Sequence, residues 1–474
     1  MDMIEERGAA VWLATRDLRV HDNPALAAAA AAGGGRVVPL FVIDPAIPKP
    51  ANRAAFLAAS LADLDASLRR RGSALVVRHG DPAVEAVRVA AAAGARTICI
   101  AFDVSAAARA RVSRLAAACA AAGLRLVVTE GATVLPPGAL APDTAPAALA
   151  AGLPPRDSYV VFTPYWRRWA ATPPRPLVAT PAQLAPLPAG VTSGPLPTIA
   201  DLAPGRLPAP LLLPGGETAG SERVRAWLAG PVADYDTTRD ALPLDATSRL
   251  SPYLHLGCIS AVALAGRLAG RPACEPFLRQ LCWRDFYAQL LASRPETAHD
   301  DFKELSGGWV DDAQGLAAWQ AGLTGYPVVD AAQRQLLAEG FVHNRARMVV
   351  ASFLTKHLGI DWRAGARHYA EHLVDGDLAS NTGNWQWVAG TGADTKPHRV
   401  FNPTLQGQRF DPQGDYVRRW LPELAGVAGA AVHEPWKLSL PERAALDYPP
   451  PLVDHAEAVA RYRARRAAPA RVAP

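Results

Sequence analysis

The chain has few cysteines, and their arrangement suggests neither a disulfide framework nor a zinc site. Its 474 residues include five Cys, an odd number, and no two of them have the spacing of a redox pair or of zinc ligands. A reducing compartment is therefore expected. No apolar run reaches the length of a membrane span, and the N-terminal residues MDMIEERG lack the basic start of a secretory signal. These absences predict a soluble, cytoplasmic protein that binds neither a metal nor a membrane.

Lysine is equally scarce, so the positive charge of the chain is almost all arginine. Only five of the 49 basic residues are Lys, and the 44 acidic residues leave a net charge of +5. Arginine suits bidentate phosphate contacts, and this balance is compatible with nucleic acid. A GC-rich genome, which raises Ala, Gly, Pro and Arg together, explains the bulk composition better. The positions of particular residues are therefore more informative about function than the bulk composition.

Length, composition and pattern divide the chain into three predicted parts. Half of the residues are hydrophobic, which excludes a disordered or fibrous chain, and the length exceeds one ordinary domain. Residues 8–134 alternate short apolar runs with stretches of helical length. Residues 135–219 are rich in Pro and Gly and mostly lack helical periodicity, which predicts a connector. Residues 220–474 have a helical pattern that ends in a fraying helix at 461–466 and a short tail.

The first part predicts a parallel sheet with helices on both faces, because buried strands alternate with helices. No GxGxxG follows the first apolar run, which argues against a nicotinamide-binding fold. Thr15–Arg19 stand there instead, at the carboxyl end of the first predicted strand, where open α/β sheets bind ligands. The apolar runs lie at residues 11–14, 37–43, 75–77, 97–102 and 124–128.

A helical pattern at residues 280–287 places four chemically different side chains on one face. Gln280, Trp283, Arg284 and Tyr287 follow one another at i, i+3, i+4 and i+7. An amide, an aromatic plane, a guanidinium and a phenol can together stack a base and hydrogen-bond its edge. An amphipathic surface helix is an equally good interpretation of this segment alone.

A second helix is predicted over about residues 329–358. It places Asn344, Arg347, Met348 and Ala351 on one face. A polar pair beside a soft Met, on a helix rich in Val, Phe and Leu, suggests a lined cavity. A solvated stripe explains the same pattern equally well.

Small hydroxyl residues in Thr247–Ser251 open another predicted helix. Hydroxyls and free backbone N–H groups at the start of a helix suit a phosphate. A plain N-cap is common and is the alternative interpretation.

The strongest single segment begins at Asp375. Within thirteen residues it holds a second carboxylate, Asp377, together with Asn381, Trp385 and Trp387. The carboxylates could ligate a metal, but no His or further acid at regular spacing completes a site. Hydrogen bonding to a ligand is the more economical interpretation. Trp385 and Trp387 are two positions apart on a helix, so they face different neighbours.

Taken together, these segments resemble the DNA photolyase/cryptochrome family, and most of all its class I cyclobutane pyrimidine dimer photolyases. The resemblance implies an N-terminal α/β domain with a five-stranded, parallel, Rossmann-like sheet and an all-α domain that holds FAD in a U shape. It also implies a lyase in which photoexcited reduced FAD passes an electron to a flipped-out cyclobutane dimer in DNA. It covers about residues 11 to 423 and rests on runs in family order, TRDLRVHDNPAL, TSRLSPYLHLG, WRDFY, TGYPVVDAAQRQL, HNRARM, DGDLASNTGNWQW and FNPTLQGQRFD.

The resemblance assigns particular residues to the flavin. Asn381 matches the residue that faces flavin N5, and Arg347 with Asp375 matches an ion pair beside the isoalloxazine. The FAD contacts that it implies are Tyr235, Thr247, Ser248, Arg249, Leu250, Ser251, Trp283, Arg284, Arg347, Asp375, Asp377 and Asn381.

Further matches concern electron transfer and DNA, and they imply a protein that binds UV-damaged DNA, expected as a monomer. The chain that photoreduces FAD is matched by Trp385, Trp362 and Trp309. The residues expected to line the lesion pocket are Gln280, Trp283, Asn344, Met348 and Trp387. The residues expected to contact DNA are Arg239, Trp283, Asn344, Arg399 and Gln406.

One position departs from the commonest class I pattern. Gln280 stands where Glu is usual, and Gln occurs there in (6-4) photolyases and animal cryptochromes. The (6-4) enzymes carry a His pair where this chain has Asn344 and Met348, so the usual proton donor to a (6-4) lesion is missing. Cyclobutane repair is therefore favoured, and a (6-4) photolyase or a cryptochrome-type blue-light photoreceptor is the alternative.

The resemblance also implies an antenna chromophore in the α/β domain. Phe41, Asp44, Arg53 and Asp103 match the pattern for an 8-hydroxy-5-deazaflavin better than the pattern for methenyltetrahydrofolate. His255 departs from the family, since a Lys is usual at that position.

Overall fold

The computed structural model describes residues 8–47, 49–140, 158–304, 307–393 and 398–467. These residues form two compact units. The domain boundaries predicted from composition, after residues 134 and 219, stay a prediction. The first unit comprises the described residues of Met1–Pro208, Leu213–Ala233 and Ser248–Pro295, and the second those of Ala209–Leu212, Asp234–Thr247 and Glu296–Pro474.

A five-stranded parallel sheet forms the centre of the first unit, as the sequence predicts. The strand order is β3-β2-β1-β4-β5, so β1 lies in the middle with β2 and β4 on either side. All residues of β1, β2 and β4 are buried, which explains why these strands appear in the sequence as continuous apolar runs. The strands are β1 (Ala10–Ala14), β2 (Val37–Ile43), β3 (Val76–His79), β4 (Thr97–Ala101) and β5 (Arg125–Thr129).

Helices accompany the sheet in the first unit. Five of them begin at side-chain caps, each of which accepts a hydrogen bond from a backbone N–H in the first turn. These caps are Asn23, Asp81, Ser105, Thr198 and Ser260. The α-helices of this unit are Pro24–Gly33, Ala51–Arg69, Pro82–Ala92, Ala106–Ala121, Phe162–Ala171, Ile199–Leu202, Glu217–Leu228, Ser251–His255, Ala261–Leu268 and Glu275–Ser293.

The predicted connector contains a ten-residue helix, Phe162–Ala171, that the sequence analysis missed. Its buried residues are Phe162, Tyr165, Trp166 and Trp169, at i, i+3, i+4 and i+7. That spacing was visible in the sequence. The surrounding Pro-rich segments, which have no such periodicity, concealed it.

The second unit is helical, and none of its described residues lies in a strand, which agrees with the prediction. Its core is built around Trp319, Leu336, Phe353, Trp362 and Trp385. No helix within the described part of the chain is both long and apolar enough to cross a bilayer. The α-helices are Tyr235–Thr238, Ala313–Ala321, Pro327–Glu339, Asn344–Ser352, Trp362–His372, Leu378–Ala389, Pro403–Phe410, Asp415–Trp420, Leu440–Ala444 and His455–Ala467.

The single helix predicted over 329–358 is wrong. The helix Pro327–Glu339 ends at Gly340, which takes a left-handed conformation with φ of 61°. A new helix begins at Asn344, where His343 Nδ1 accepts a hydrogen bond of 3.2 Å from the backbone N–H of Arg345. It continues into a π-helical turn, Phe353–Leu358. Buried apolar residues between the two helices prolong the pattern, so periodicity alone could not reveal the break.

The C-terminal helix is also longer and better packed than the sequence suggests. It runs over His455–Ala467, and both Ala458 and Tyr462 are fully buried. The helix predicted at 461–466 is therefore present, and the Arg-rich surface concealed the buried stripe by which it packs. The tail predicted after it, residues 468–474, lies outside the described residues.

Candidate functional site

An ion pair joins two of the predicted flavin contacts in the second unit. Arg347 Nη2 lies 3.0 Å from Asp375 Oδ2, and Nη1 lies 3.3 Å from Oδ1. The Asp375 side chain is 5% exposed and the Arg347 side chain 26%. Arg347 Nε donates to the carbonyl oxygen of Val342 at 2.7 Å, which fixes the guanidinium plane. A planar, charge-assisted pair of this kind holds both groups in one orientation.

The next residues form the start of the helix Leu378–Ala389. Asp377 is its N-cap, and its Oδ1 accepts from the backbone N–H of Ser380 at 2.9 Å. One turn later, Asn381 Nδ2 donates to the carbonyl oxygen of Ala366 at 2.9 Å. Because the amide nitrogen is used in this way, the amide oxygen of Asn381 is the end that can accept a hydrogen bond from a ligand.

The helix Asn344–Ser352 presents the predicted lesion-pocket pair on one side. Asn344 is exposed, Met348 is half-buried, and Asn344 Nδ2 lies 3.9 Å from Met348 Sδ. Burial lowers the pKa of the preceding His343 to about 4, so its imidazole is neutral at physiological pH. Asn344 and Met348 are not histidines, and the neighbouring His343 is buried. This surface therefore has no His pair that could donate a proton to a lesion.

Two further predicted flavin contacts lie at the start of the second unit's chain. Burial raises the pKa of the Tyr235 phenol to about 12. The Oγ1 of Thr247 is buried and has no hydrogen-bond partner within the described part of the chain. A buried hydroxyl without a partner is costly, and a polar ligand would supply what it lacks.

The predicted DNA contacts differ in their surroundings. Arg239 pairs with Asp236 at 3.1 Å, and both side chains are exposed. The Arg399 guanidinium lies 5.9 Å from the ring centre of Trp387, a cation–π distance. The Oε1 of Gln406 is buried with no hydrogen-bond partner among the described residues.

In the first unit, residues 248–250 are irregular, and the helix that the sequence predicts begins directly after them at Ser251. Arg249 is buried and has a positive φ of 50°, which is unusual for a residue with a side chain. Ser248 Oγ accepts from the backbone N–H of Leu250 at 3.3 Å. The helix begins only at Ser251 and has no side-chain cap, so the N-cap interpretation is wrong. Strained backbone of this type is frequent at binding sites.

Trp283 is stacked against a residue that the sequence analysis missed. Its ring lies parallel to that of Phe162, with centroids 3.7 Å apart and an interplanar angle of 2°. The rings of Phe286 and Tyr287 contact Trp283 at 5.5 and 5.6 Å. The guanidinium of Arg279 lies 5.7 Å from the centre of the Phe162 ring. One face of Trp283 is thus covered by protein, and the ring is held in place.

The same helix, Glu275–Ser293, is fixed by polar contacts to a neighbouring loop and to the helix Ser251–His255. Arg284 Nη2 donates to the carbonyl oxygen of Leu254 at 3.0 Å, and Nη1 donates to that of Ala132. Gln280, near Trp283 in the helix, is half-buried. The predicted face is therefore partly buried, and both interpretations of it stay predictions.

The three Trp residues predicted to carry electrons differ in burial. Trp385 and Trp362 are buried, with exposures of 4% and 1%, whereas Trp309 is half-buried. Trp385 contacts Tyr369 edge-on at 5.2 Å. It also touches Gly365 so closely that a Cβ there would come 2.3 Å from Trp385 Cη2. The Trp362 Nε1 donates to Asp301 at 2.8 Å.

Charged groups collect at the carboxyl end of the sheet, where the antenna residues are predicted. Arg16 Nη1 lies 3.0 Å from Asp103 Oδ2, and Arg16 Nε donates to the carbonyl oxygen of His255 at 2.8 Å. Arg111 interacts electrostatically with both Asp103 and Asp44, and burial lowers the pKa of its guanidinium.

Two other predicted antenna residues lie in β2 and in the helix that follows it. Phe41 lies near the end of β2 and is 8% exposed, and Arg53 lies in the first turn of the helix Ala51–Arg69. Arg111 was not predicted, because it lies in the middle of an Ala-rich helix without a recognisable motif. Within the described residues, no group of three or more His, Cys, Asp or Glu side chains could hold a metal ion.

Comparisons with known proteins match both units. The family model of DNA photolyase matches residues 9–186, and that of the FAD binding domain of DNA photolyase matches residues 277–468. The deoxyribodipyrimidine photo-lyase of Streptomyces griseus is 50% identical over 467 residues, which are 96% of this chain and 99% of that protein.

Solved structures agree with these matches. A bacterial class III photolyase from Agrobacterium tumefaciens superposes with a TM-score of 0.86 and 33% identity over 98% of both chains. An archaeal photolyase from Sulfolobus tokodaii, solved with two FAD molecules, has a TM-score of 0.81 and 28% identity over 96% of this chain and 99% of that one.

A parallel α/β unit, a helical unit and a match to an FAD-binding domain define a flavin-binding protein of two-part architecture. The chain belongs to the DNA photolyase/cryptochrome family. The fold class and the family predicted from the sequence are confirmed.

Proposed function

We propose that this protein repairs cyclobutane pyrimidine dimers in DNA with the energy of blue light. The observation that carries the proposal is the 50% identity to a deoxyribodipyrimidine photo-lyase along nearly the whole of both chains. The side chains expected to bind the flavin, to bind the lesion and to supply electrons are all present in the chain, and they support the proposal. The proposed mechanism has three parts, which are flavin binding, lesion binding and electron supply.

FAD fits the residues that the family assigns to it. The Arg347–Asp375 pair and Asp377 supply fixed charges, and the unpartnered Thr247 Oγ1 can donate to a phosphate or ribose oxygen. The Asn381 amide oxygen can accept from an N–H at flavin N5, because the amide nitrogen already serves Ala366. When bound, reduced FAD supplies the light absorption and the electron. The remaining flavin contacts proposed are Tyr235, Ser248, Arg249, Leu250, Ser251, Trp283 and Arg284.

The protein's own residues would bind and orient the lesion. A damaged pair is poorly stacked, so flipping it out of the duplex costs less than flipping an intact pair. Trp283, supported from behind by Phe162, offers its other face to a pyrimidine ring. Trp387 and Met348 add apolar surface, and the amides of Asn344 and Gln280 suit the polar edges of the bases. Exposed guanidinium groups such as Arg239 and Arg399, with Gln406, would contact the DNA backbone.

Three tryptophans would supply electrons to the flavin when it is oxidised. Trp385 and Trp362 are buried, and Trp309 is half-buried. Electron transfer in the order Trp309, Trp362, Trp385 would therefore run from a half-buried ring to two buried ones. The outermost ring can exchange a proton with water and an electron with an external thiol.

The surroundings of Asn344 and Met348 favour the cyclobutane dimer as the lesion. Neither side chain can donate a proton as a general acid, and the adjacent His343 is a buried, neutral helix cap. Repair of a (6-4) photoproduct needs such an acid, whereas splitting a cyclobutane ring needs only an electron that later returns. Gln280 keeps a hydrogen-bonding amide where an acid is usual.

The experiment is a blue-light assay with chemically reduced protein on two oligonucleotides, one with a thymine cyclobutane dimer and one with a (6-4) photoproduct. We expect the dimer to be split and the (6-4) lesion to remain. Repair of the (6-4) lesion alone would favour the alternative enzyme. Persistence of both lesions while the flavin is photoreduced would favour a photoreceptor.

We also propose an antenna of the 8-hydroxy-5-deazaflavin type near Phe41, Asp44, Arg53 and Asp103. The cluster of guanidinium groups at the sheet edge suits an anionic aromatic ligand. Chromophores released from protein purified from its native host should include a deazaflavin. A folate, a second FAD or no second chromophore would refute this part of the proposal.

We propose that this protein acts as a monomer in the cytoplasm on UV-damaged DNA, with domain boundaries near residues 134 and 219. Analytical ultracentrifugation at micromolar concentration should give a single species of the monomer mass. A stable dimer would refute the first of these points, and limited proteolysis would test the boundaries.

A further inference from the structure

The C-terminal helix, His455–Ala467, is packed firmly on the π-helical turn Phe353–Leu358. His455 Nδ1 lies 2.9 Å from the Nε2 of His357, which is itself buried. Tyr462 is 1% exposed, and the ammonium of Lys356 lies 5.6 Å from the centre of its ring. These contacts fix where the last turn of the helix lies.

That last turn lies against the segment that carries Trp309. A Cβ at Gly307 would come 1.9 Å from the carbonyl oxygen of Arg465, so only glycine allows this approach. A Cβ at Gly359 would come 2.5 Å from the Arg465 guanidinium. The backbone N–H of Val310 donates to the carbonyl oxygen of Gly359 at 2.8 Å. The helix end, the π-helical turn and residues 307–310 therefore form one packed cluster.

Within this cluster, the guanidinium of Arg466 lies 5.1 Å from the centre of the Trp309 ring. It also lies 5.4 Å from the ring of Tyr462. A cation over the face of a neutral Trp is attracted by the ring. Once the same ring has lost an electron, it is itself a cation, and the attraction becomes a repulsion between like charges.

A like charge nearby disfavours the protonated, charged form of a group. Loss of the Nε1 proton converts oxidised Trp309 into a neutral radical and removes the repulsion. Half-buried Trp309 has access to water that can take the proton. The neutral radical cannot take an electron back from the chain without also taking up a proton, so proton loss makes the charge separation last.

We propose that Arg466 is a positioning and tuning residue that speeds the loss of the Nε1 proton from oxidised Trp309. The inference rests on the proposed function, in which Trp309 is the outer end of the electron chain. Trp309 gives one electron to oxidised Trp362, its Nε1 proton goes to water, and an external thiol later returns one electron while water returns the proton. Arg466 itself is neither oxidised nor reduced.

The test compares charge-removing and charge-keeping variants in the FAD-loaded full chain. Transient absorption after a laser flash follows the decay of the tryptophan radical cation. Arg466→Gln and Arg466→Met should lengthen its lifetime at least about threefold, because they remove the like charge. Arg466→Lys should stay near wild type. The matched control is Arg463→Gln, which removes an exposed charge of the same helix. Decay at the wild-type rate in both charge-removing variants would overturn the proposal.

A second readout does not depend on electron transfer. Tryptophan fluorescence is quenched with iodide in each protein and in the same protein that also carries Trp309→Phe. The difference between the two signals gives the quenching of Trp309 alone. A cation beside the ring attracts iodide, so Arg466→Gln and Arg466→Met should lower the quenching constant by at least about twofold. An unchanged constant would show that Arg466 does not face Trp309, and would overturn the proposal.

Trp309→Phe separates failure of this inference from failure of the proposed function. If that variant still forms the long-lived tryptophan radical, Trp309 is not the outer electron donor, and both statements fall. If it abolishes the radical while the Arg466 variants decay like wild type, only the role of Arg466 is wrong. Arg466→Met keeps the aliphatic stem on the ring and serves as the folded variant should the glutamine variant lose its helix.

Discussion

Phe162 and Trp283 are stacked face to face, with ring centroids 3.7 Å apart and planes 2° from parallel. Phe162 comes from a helix that lies in a Pro-rich part of the sequence, and Trp283 comes from the helix Glu275–Ser293. The stack covers one face of Trp283, and in the proposed function the other face receives a base. The stack also holds the Trp283 side chain in one rotamer before a base binds. Binding then costs less conformational entropy.

Removal of the stacking partner should therefore weaken lesion binding. In Phe162→Ala, Trp283 loses its support, worth about 1 kcal/mol for an aromatic pair, so affinity for a dimer-containing oligonucleotide should fall about fivefold. Phe162→Tyr keeps the ring and should bind like wild type. Fluorescence anisotropy measures both. An equal loss of affinity in the two variants would show that the Phe162–Trp283 stack does not determine lesion binding.

The ion pair at the proposed flavin site should matter for stability as well as for binding. Asp375→Asn leaves the half-buried Arg347 without its counter-charge, and we expect the free energy of unfolding to fall by about 1.5–3 kcal/mol. FAD retention during gel filtration should also fall. The control is Asp236→Asn, which breaks the exposed pair with Arg239 and should cost less than about 1 kcal/mol in urea unfolding. Similar losses in both variants would contradict the role given to Asp375.

Trp385 separates electron supply from repair. Trp385→Phe keeps an aromatic ring in the buried site but removes the readily oxidised indole, so photoreduction of oxidised FAD should be largely lost. Repair by enzyme that was reduced chemically beforehand should be nearly unchanged. Trp420→Phe, which changes another buried Trp of this unit, should leave both properties intact. Loss of repair in pre-reduced Trp385→Phe would refute the assignment.

His343 should make stability depend on pH. Its pKa is about 4 in the folded protein and about 6.5 in an unfolded chain. Between these values the unfolded state binds a proton that the folded state does not, so the free energy of unfolding falls as the pH drops through this window. Asp285 and Asp330, whose pKa burial raises to about 6, act in the opposite direction and mask the effect in the wild-type curve.

A variant isolates the His343 contribution. His343→Asn keeps a good helix cap and removes the titration. The stability advantage of wild type over the variant should shrink by up to about 2 kcal/mol between about pH 7.5 and about pH 5 in urea unfolding. An advantage that stays constant over this range would mean that His343 does not titrate differently in the two states.

The sequence predicts the sheet better than it predicts the helical unit. Strands buried on both faces, such as β1 and β2, are continuous apolar runs with little room for another interpretation. The break at Gly340 was missed because buried Phe341 and Val342 carry the apolar pattern across it. A lone glycine in a helical pattern is too frequent to mark a helix end by itself.

Site residues were predictable only where several chemical types stand close together in the chain. The carboxylates and amides after Asp375 form such a group, whereas Phe162 and Arg111 meet their partners only through tertiary contacts. Arg466 lies in a run of arginines that looks like an ordinary solvated surface. Its distance to Trp309, which is 157 positions earlier in the chain, is set by packing that no local pattern encodes.

The most direct test of the account is a count of thymine bases restored after blue-light flashes in an anaerobic mixture of reduced, FAD-loaded protein and a thymine-dimer oligonucleotide. We predict light-dependent splitting of the dimer, none in the dark, and the same yield with the pre-reduced Trp385→Phe variant. A protein that holds reduced FAD and binds the oligonucleotide, yet restores no thymine in the light, would contradict the account.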